Sequence, residues 1–136
     1  MVGKLIVSHG NLARELLATV GKIVGDTSGF AALSLSWEDG CDRAEAMIRA
    51  QIAELDRGVG VLILADMYGD TPCNAARRVI EPGRVELVSG INLPLIVRLA
   101  CSPGLPQDVG ELAEWAVVKG RKGLQRVTAG EEPDPR

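Results

Sequence analysis

His9 is the only histidine of the 136-residue chain, and it lies where a short apolar run, residues 5–7, meets a helical pattern. An imidazole nitrogen at a strand end can attack a phosphoryl donor and hold the transferred group. The helix that follows presents backbone N–H groups and the positive end of its dipole to the same space. Gly10 has no side chain and lets the backbone approach closely. These features predict a phosphoryl site at His9 and Gly10; the alternative is that His9 is an ordinary polar loop residue.

Asp66 directly follows residues 59–65, the most apolar run of the chain. If this run and the one before His9 form neighbouring parallel strands, Asp66 and His9 face each other at one edge of the sheet. A carboxylate that accepts a hydrogen bond from one ring nitrogen fixes the tautomer and leaves the other nitrogen as the nucleophile. It also stabilises the cationic ring formed in the attack. An Asp at a strand end can otherwise simply cap a loop.

Thr71 and Pro72 form a helix start signal, since Thr caps a first turn and Pro suits its first position. A helix that begins there supplies a hydroxyl and N–H groups to a phosphoryl oxygen. We therefore predict that Thr71 and Asn74 contact the phosphoryl group, with a purely structural role at the helix start as the alternative. Asp70 would repel such a group, and its side chain is expected to point to solvent.

Several other kinds of site are excluded. One histidine and three scattered cysteines argue against a zinc site. No Walker A sequence is present, and the glycines of residues 58–60 precede a strand, unlike those of a dinucleotide-binding turn. Ser8 and His9 are neighbours on a strand and point to opposite faces, which argues against a Ser–His hydrolase pair. Cys73 and Cys101 are predicted to be small core residues.

The composition favours a cytoplasmic protein. A net charge of −3 without a basic stripe argues against nucleic-acid binding. The dispersed cysteines are typical of reduced thiols. No apolar stretch approaches the roughly 20 residues needed to span a bilayer, and residues 1–4 show no signal-peptide pattern. We expect contact with a membrane only through a partner protein.

Apolar runs alternate with helical patterns, which predicts a doubly wound, mostly parallel α/β sheet with helices on both faces. The predicted strands are residues 5–7, 30–35, 59–65 and 85–88, with a short fifth strand at 124–127. The predicted helices are residues 11–24, 39–57, a short one from 71, 92–101 and 107–120. Residues 1–127 are expected to form one domain and residues 128–136 a disordered tail. Such sheets bind ligands beyond the C-terminal strand ends, at the point where the strand order reverses.

Three segments resemble the IIA component of the mannose family of the bacterial sugar phosphotransferase system. They are Ile6-Val7-Ser8-His9-Gly10, Asp66-Met67-Tyr68-Gly69-Asp70-Thr71-Pro72-Cys73-Asn74 and Ser89-Gly90-Ile91-Asn92-Leu93-Pro94-Leu95. They follow the family's order and spacing, and the resemblance extends over residues 3–127. It implies strand order 2-1-3-4 and a homodimer in which the last, antiparallel strand, here residues 124–127, can be exchanged between subunits.

The same resemblance implies the function. His9 would accept a phosphoryl group from the small carrier protein HPr and pass it to a IIB protein for sugar uptake. Asp66 would be the hydrogen-bond partner of His9, and Thr71 would lie near the phosphoryl group. No metal or organic cofactor is implied.

The chain departs from the family pattern beside the predicted site. Asp70 and Cys73 stand where Gly and Phe are usual, and Tyr68 stands where Trp is common. These changes leave phosphorylation of His9 intact but leave the identity of its partner proteins open. Three alternatives remain: a regulatory protein whose phosphorylation state reports metabolic supply, the phosphotransferase subunit of dihydroxyacetone kinase, and a non-catalytic α/β binding module.

Overall fold

The computed structural model describes residues 1–69 and 71–131, which alternate between strands and helices. The strands are β1 (Gly3–His9), β2 (Phe30–Leu35), β3 (Val61–Ala65) and β4 (Val85–Ser89). The helices are α1 (Leu12–Val24), α2 (Cys41–Leu55), α3 (Thr71–Arg77), α4 (Leu93–Cys101) and α5 (Val109–Lys122). Within these residues, no helix is long and apolar enough to cross a membrane.

The four strands form one parallel sheet in the order β2-β1-β3-β4, which confirms the predicted class and strand order. Val7 is in register with Leu33 of β2 and with Ala65 of β3. The C-terminal ends of the three strands therefore lie along one edge. The chain leaves β1 toward β2 on one side and returns to β3 on the other, so the strand order reverses between β1 and β3.

Two apolar layers cover the faces of the sheet. On one face, α1, α4 and α5 pack against Ile6 and Leu62. On the other face, α2 and α3 pack against Leu5 and Ile63. All five residues of β3 are buried because the strand has helices on both sides. The strand ends are consequently held by a core built from both layers.

Helices α1, α2, α4 and α5 begin one or two residues later than the sequence pattern predicts, and capping side chains account for the starts of α4 and α5. The Asn92 side chain accepts the Leu95 N–H at 2.9 Å, and the Asp108 side chain accepts the Glu111 N–H at 2.9 Å. Both residues have extended backbones and are therefore N-caps outside the helices. These two capping residues therefore mark the starts of α4 and α5.

The predicted fifth strand is not part of the described sheet. The N–H of Leu124 donates to the carbonyl of Arg121 at 3.5 Å, so the segment begins in the turn that closes α5 rather than in a ladder with β4. Its apolar side chains are solvent-exposed, Leu124 by 88% and Val127 by 78%. Exchange of this strand between subunits stays a prediction. The disordered tail at residues 128–136 also stays a prediction, since residues 132–136 lie outside the described part of the chain.

Two predicted core residues are on the surface. Cys73 is buried as predicted, but Cys101 is exposed. The helical spacing of residues 107–120 predicts that Val118 is buried together with Leu112, Trp115 and Ala116, but Val118 is 51% exposed. Each follows a buried helical residue by two positions, Cys101 after Leu99 and Val118 after Ala116. Two positions correspond to roughly 200° around a helix, which places both side chains on the solvent face.

Candidate active site

His9 is the last residue of β1, and the turn into α1 holds it at the sheet edge. Gly10 has φ +52°, and its N–H donates to the carbonyl of Leu35 at 2.9 Å. The buried hydroxyl of Ser8 accepts the N–H of Ala13 at 2.6 Å and ties the strand end to α1. Gly10 therefore lies beside His9 as predicted, but its N–H is already used in binding β2.

Asp66 lies directly beside His9, as the sequence predicts. Its Oδ2 accepts the backbone N–H of His9 and contacts Nδ1 of the ring, each at 3.0 Å. Its Oδ1 accepts the N–H of Met67 at 2.9 Å. The Asp66 side chain is 9% exposed and the His9 side chain 25% exposed. The carboxylate is thus mostly buried, while part of the ring is accessible.

This geometry selects one tautomer of His9. An ionised carboxylate can only accept hydrogen bonds, so the nitrogen facing it, Nδ1, carries the hydrogen. Nε2 then holds the lone pair and is the nucleophilic atom. The N–H groups around Asp66 also stabilise its negative charge. The pair can therefore balance a positive charge that develops on the ring.

Trp37 stacks on His9, a contact that the sequence reasoning missed. The ring centroids are 4.8 Å apart and the planes differ by 21°. The loop that carries Trp37 is fixed, because the Ser36 N–H donates to Asp39 at 2.9 Å and the Glu38 N–H donates to Ser36 at 3.3 Å. Trp37 itself is 77% exposed. The indole therefore restricts the imidazole from the solvent side.

One signal in the sequence points to Trp37. It follows the end of β2, the strand beside β1, and a Cβ added at Gly10 would lie 3.7 Å from its Nε1. A glycine after the histidine and an aromatic residue after the neighbouring strand are compatible with a stack at that edge. The strand order contained this signal, but the sequence prediction did not use it.

The other two predicted phosphoryl contacts are less closely placed. Thr71 is the first residue of α3 and is exposed. Asn74 is exposed and lines a shallow surface pocket with Cys41, Arg77 and Arg78. Contacts from Thr71 and Asn74 to a phosphoryl group stay predictions. Asp70, expected to point to solvent, lies outside the described residues.

Exposed apolar side chains gather at the edge that carries His9. Leu12 is 48%, Met67 55% and Tyr68 70% exposed, in addition to Trp37. Each lies within three residues of the end of β1, β2 or β3. Exposed apolar patches of this kind mark protein-contact surfaces. No metal-binding cluster of three His, Cys, Asp or Glu side chains occurs in residues 1–69 and 71–131.

The fold places an oriented histidine at the switch point of a doubly wound sheet, an arrangement that suits a protein that carries a group on an imidazole. The family model of the PTS system fructose IIA component, EIIA-man, matches residues 3–116. The chain belongs to this family, which confirms the resemblance seen in the sequence.

Relatives of known role agree with this assignment. The chain is 33% identical over 131 residues to the mannose-specific EIIAB component of Escherichia coli K12, a match that covers 92% of this chain and 39% of that protein. It is 27% identical over 100 residues to the fructose-specific EIIA component of Bacillus subtilis, covering 73% and 68% of the two chains. The chain thus spans well under half the length of the E. coli relative.

Solved structures share the fold over nearly the whole chain. The mannose/sorbose-specific IIA subunit of Enterococcus faecalis superimposes with a TM-score of 0.85 at 32% identity, covering 97% of this chain and 98% of that one. The IIA protein associated with the fucose utilisation operon of Streptococcus pneumoniae gives 0.74 at 29% identity, covering 93% and 96%. The described residues therefore have the fold of these IIA proteins.

Proposed function

We propose that the protein is a cytoplasmic phosphoryl carrier that accepts a phosphoryl group from phospho-HPr on Nε2 of His9 and passes it to a IIB protein. The observation that carries this proposal is the contact between Nδ1 of His9 and Oδ2 of Asp66. It orients the ring and leaves the lone pair on Nε2. Family membership supplies the class of donor and acceptor.

The transfer is a nucleophilic substitution at phosphorus, in which one histidine nitrogen replaces another. A bond forms between Nε2 of His9 and the phosphorus as the nitrogen–phosphorus bond of the donor histidine breaks, and the donor ring leaves with the electron pair of that bond. Positive charge that develops on His9 is balanced by Asp66. Such a step depends on positioning and electrostatics, and it needs no additional base.

Backbone N–H groups at the start of α1 could donate hydrogen bonds to the phosphoryl oxygens. Side-chain hydroxyls already accept the N–H groups of Ala13 and Arg14. Within the described residues, the N–H groups of Asn11 and Leu12 make no hydrogen bond. These two groups are the donors that remain beside His9 at the positive end of the helix dipole.

The surroundings of the site support docking of partner proteins. The exposed apolar side chains around His9 suit the contact surface of HPr and of a IIB acceptor. Contact with a membrane would occur only through permease components. Residues 1–127 would form the IIA domain, and residues 128–136 a tail.

We also propose a homodimer in which residues 124–127 add to the partner subunit's sheet. β4 is an edge strand of the described sheet, and a cavity of about 550 Å³ lies between β4 and α5. Leu124 lines this cavity and, like Val127, is exposed in the single chain. Sedimentation of the parent and of a Leu124→Asp/Val127→Asp variant tests the dimer; two equal monomer masses would contradict it.

The central experiment is a labelling assay with phosphoenolpyruvate, enzyme I and HPr. The parent chain is expected to gain one acid-labile phosphate, and His9→Ala is expected to gain none. Omission of HPr is the control for direct labelling by enzyme I, and thermal unfolding checks that His9→Ala is folded. The proposal fails if the folded parent stays unlabelled or if His9→Ala takes up phosphate equally well.

A further inference from the structure

A second cavity, of about 250 Å³, lies at the end of the sheet opposite His9. It is bounded by the start of β1, the loop between α1 and β2, and the segment that joins α4 to α5. Lys4 and His9 are both on β1, and their separation of five residues corresponds to roughly 16 Å along the strand. The apolar walls include Val2, Phe30, Leu99, Leu105 and Leu112. The cavity is thus separate from the site that contains His9.

Lys4 is the unusual residue of this cavity. It is only 3% exposed, and its Nζ lies 5.6 Å from the centroid of the Phe30 ring. Among the described residues, no carboxylate forms an ion pair with Nζ and no acceptor hydrogen-bonds to it. Burial lowers the pKa of Lys4, as expected when an ammonium is desolvated without a counter-ion. A buried cation without a counter-ion is costly, and an anion from outside the chain would offset that cost.

The other polar groups of the cavity do not neutralise Lys4. Asp26 lies at the lining but is exposed, and its carboxylate accepts the N–H of Ser28 at 2.9 Å. The remaining polar side chains of the lining, Ser28, Ser102 and Gln107, are uncharged. The cavity therefore combines one buried positive charge with apolar side chains on part of its wall.

We propose that this cavity binds a small amphipathic carboxylate, whose carboxylate group pairs with Nζ of Lys4 and whose hydrocarbon part lies against the apolar walls. A volume of 250 Å³ corresponds to about eight water molecules at ~30 Å³ each. A ligand with about eight non-hydrogen atoms fits such a space, and hexanoate is a probe of that size. Inorganic phosphate would leave the apolar side chains of the wall uncovered.

The experiment is a titration of the full chain followed by backbone amide NMR signals. Hexanoate is expected to cause saturable shifts at Phe30, Leu99 and Leu105. 1-Hexanol, which lacks the charge, and inorganic phosphate, which lacks the hydrocarbon, are expected to bind about tenfold more weakly or worse. Weaker phosphate binding separates an amphipathic carboxylate site from a general anion site.

Lys4→Met is the decisive variant. It removes an uncompensated buried charge at similar volume, so its Tm is expected to equal or exceed that of the parent, while hexanoate affinity falls about tenfold or more. Lys22→Met, at an exposed lysine of α1, is the matched control and is expected to bind like the parent. Lys4→Gln serves the same purpose if Lys4→Met does not fold. The proposal is overturned if hexanoate gives no saturable shifts, if 1-hexanol binds as well, or if a folded Lys4 variant keeps the affinity.

Discussion

One carboxylate oxygen, Oδ2 of Asp66, contacts His9 twice: it accepts the backbone N–H and the Nδ1–H, each at 3.0 Å. The first bond attaches the carboxylate to the end of β1, and the second attaches the ring to the carboxylate. Asp66 is itself held by β3, because its N–H donates to the carbonyl of Val7 at 3.2 Å. The direction of the imidazole is therefore set by two neighbouring strands of a rigid sheet, which is how a scaffold preorganises a nucleophile.

Asp66→Asn is expected to slow phosphoryl transfer by about 10²-fold or more while the chain stays folded. Within residues 1–69 and 71–131, N–H groups of His9 (backbone and ring) and Met67 contact the two oxygens of Asp66. An asparagine has only one oxygen, so at least one N–H would face its NH₂ group, and the charge that balances the ring would be lost. Rapid-quench transfer from labelled phospho-HPr measures the rate, with Tm as the control. A rate within about twofold of the parent would remove Asp66 from the mechanism.

The pairing of His9 and Asp66 could be predicted because it depends only on strand order and on the rule that sites lie where this order reverses. Trp37 was harder to assign, since its position is set by the hydrogen-bonded turn of residues 36–39 and not by an apolar pattern. The pairing of residues 124–127 could not be predicted for a different reason. Their pairing would depend on a second chain, so strand propensity within one chain does not determine it.

Trp37 is expected to report phosphorylation of His9 by fluorescence, because its indole stacks on the ring that changes charge. The chain has two tryptophans, and Trp115 lies on α5. Phosphorylation should change the emission of a Trp115→Phe variant and leave that of Trp37→Phe unchanged. An unchanged emission in phosphorylated Trp115→Phe would mean that the stack does not persist in solution.

Trp37→Ala is expected to slow transfer by about two- to tenfold, because an aromatic pair contributes about 0.5–1.5 kcal/mol. Loss of the stack frees the imidazole on its solvent side but leaves the contact with Asp66 in place. The comparison with Asp66→Asn in the same quench assay ranks the two contacts. A slower Trp37→Ala than Asp66→Asn would show that stacking, and not the carboxylate, dominates the orientation of the ring.

Asp56 is expected to stabilise the fold in a pH-dependent way. The N–H groups of Gly58 and Gly60 and the guanidinium of Arg84 lower the pKa of Asp56. A carboxyl whose folded pKa is below its unfolded value contributes stability above the unfolded pKa of about 3.9, and this stability is lost as the pH falls through the folded pKa.

Asp56→Asn should therefore lower the Tm at pH 7 by about 2–5 °C, as expected for the loss of a hydrogen bond or two. The difference from the parent should shrink below about pH 4. Thermal unfolding of both proteins from pH 7 to pH 3 measures this trend. A difference that stays constant over the whole range would show that the charge of Asp56 does not contribute.

Gly60→Ala is expected to destabilise the protein by about 3 kcal/mol or more, because strain and a clash add at this position. Gly60 has φ +99°, and a Cβ there would lie 2.4 Å from the carbonyl oxygen of Arg84. That oxygen cannot simply move away, since it accepts the N–H of Val61 at 2.8 Å. Gly58→Ala is the matched control: its φ is +98°, but nothing lies within 4 Å of an added Cβ.

Gly58→Ala should therefore show the backbone strain alone, about 1–3 kcal/mol. The difference between the two variants in urea unfolding isolates the clash with Arg84. If Gly60→Ala is insoluble while Gly58→Ala folds, Gly60→Ala is still shown to be the more destabilising substitution. Equal free energies of unfolding for the two variants would show that the start of β3 can shift away from Arg84. The inference that a rigid β3 holds Asp66 in position would then be wrong.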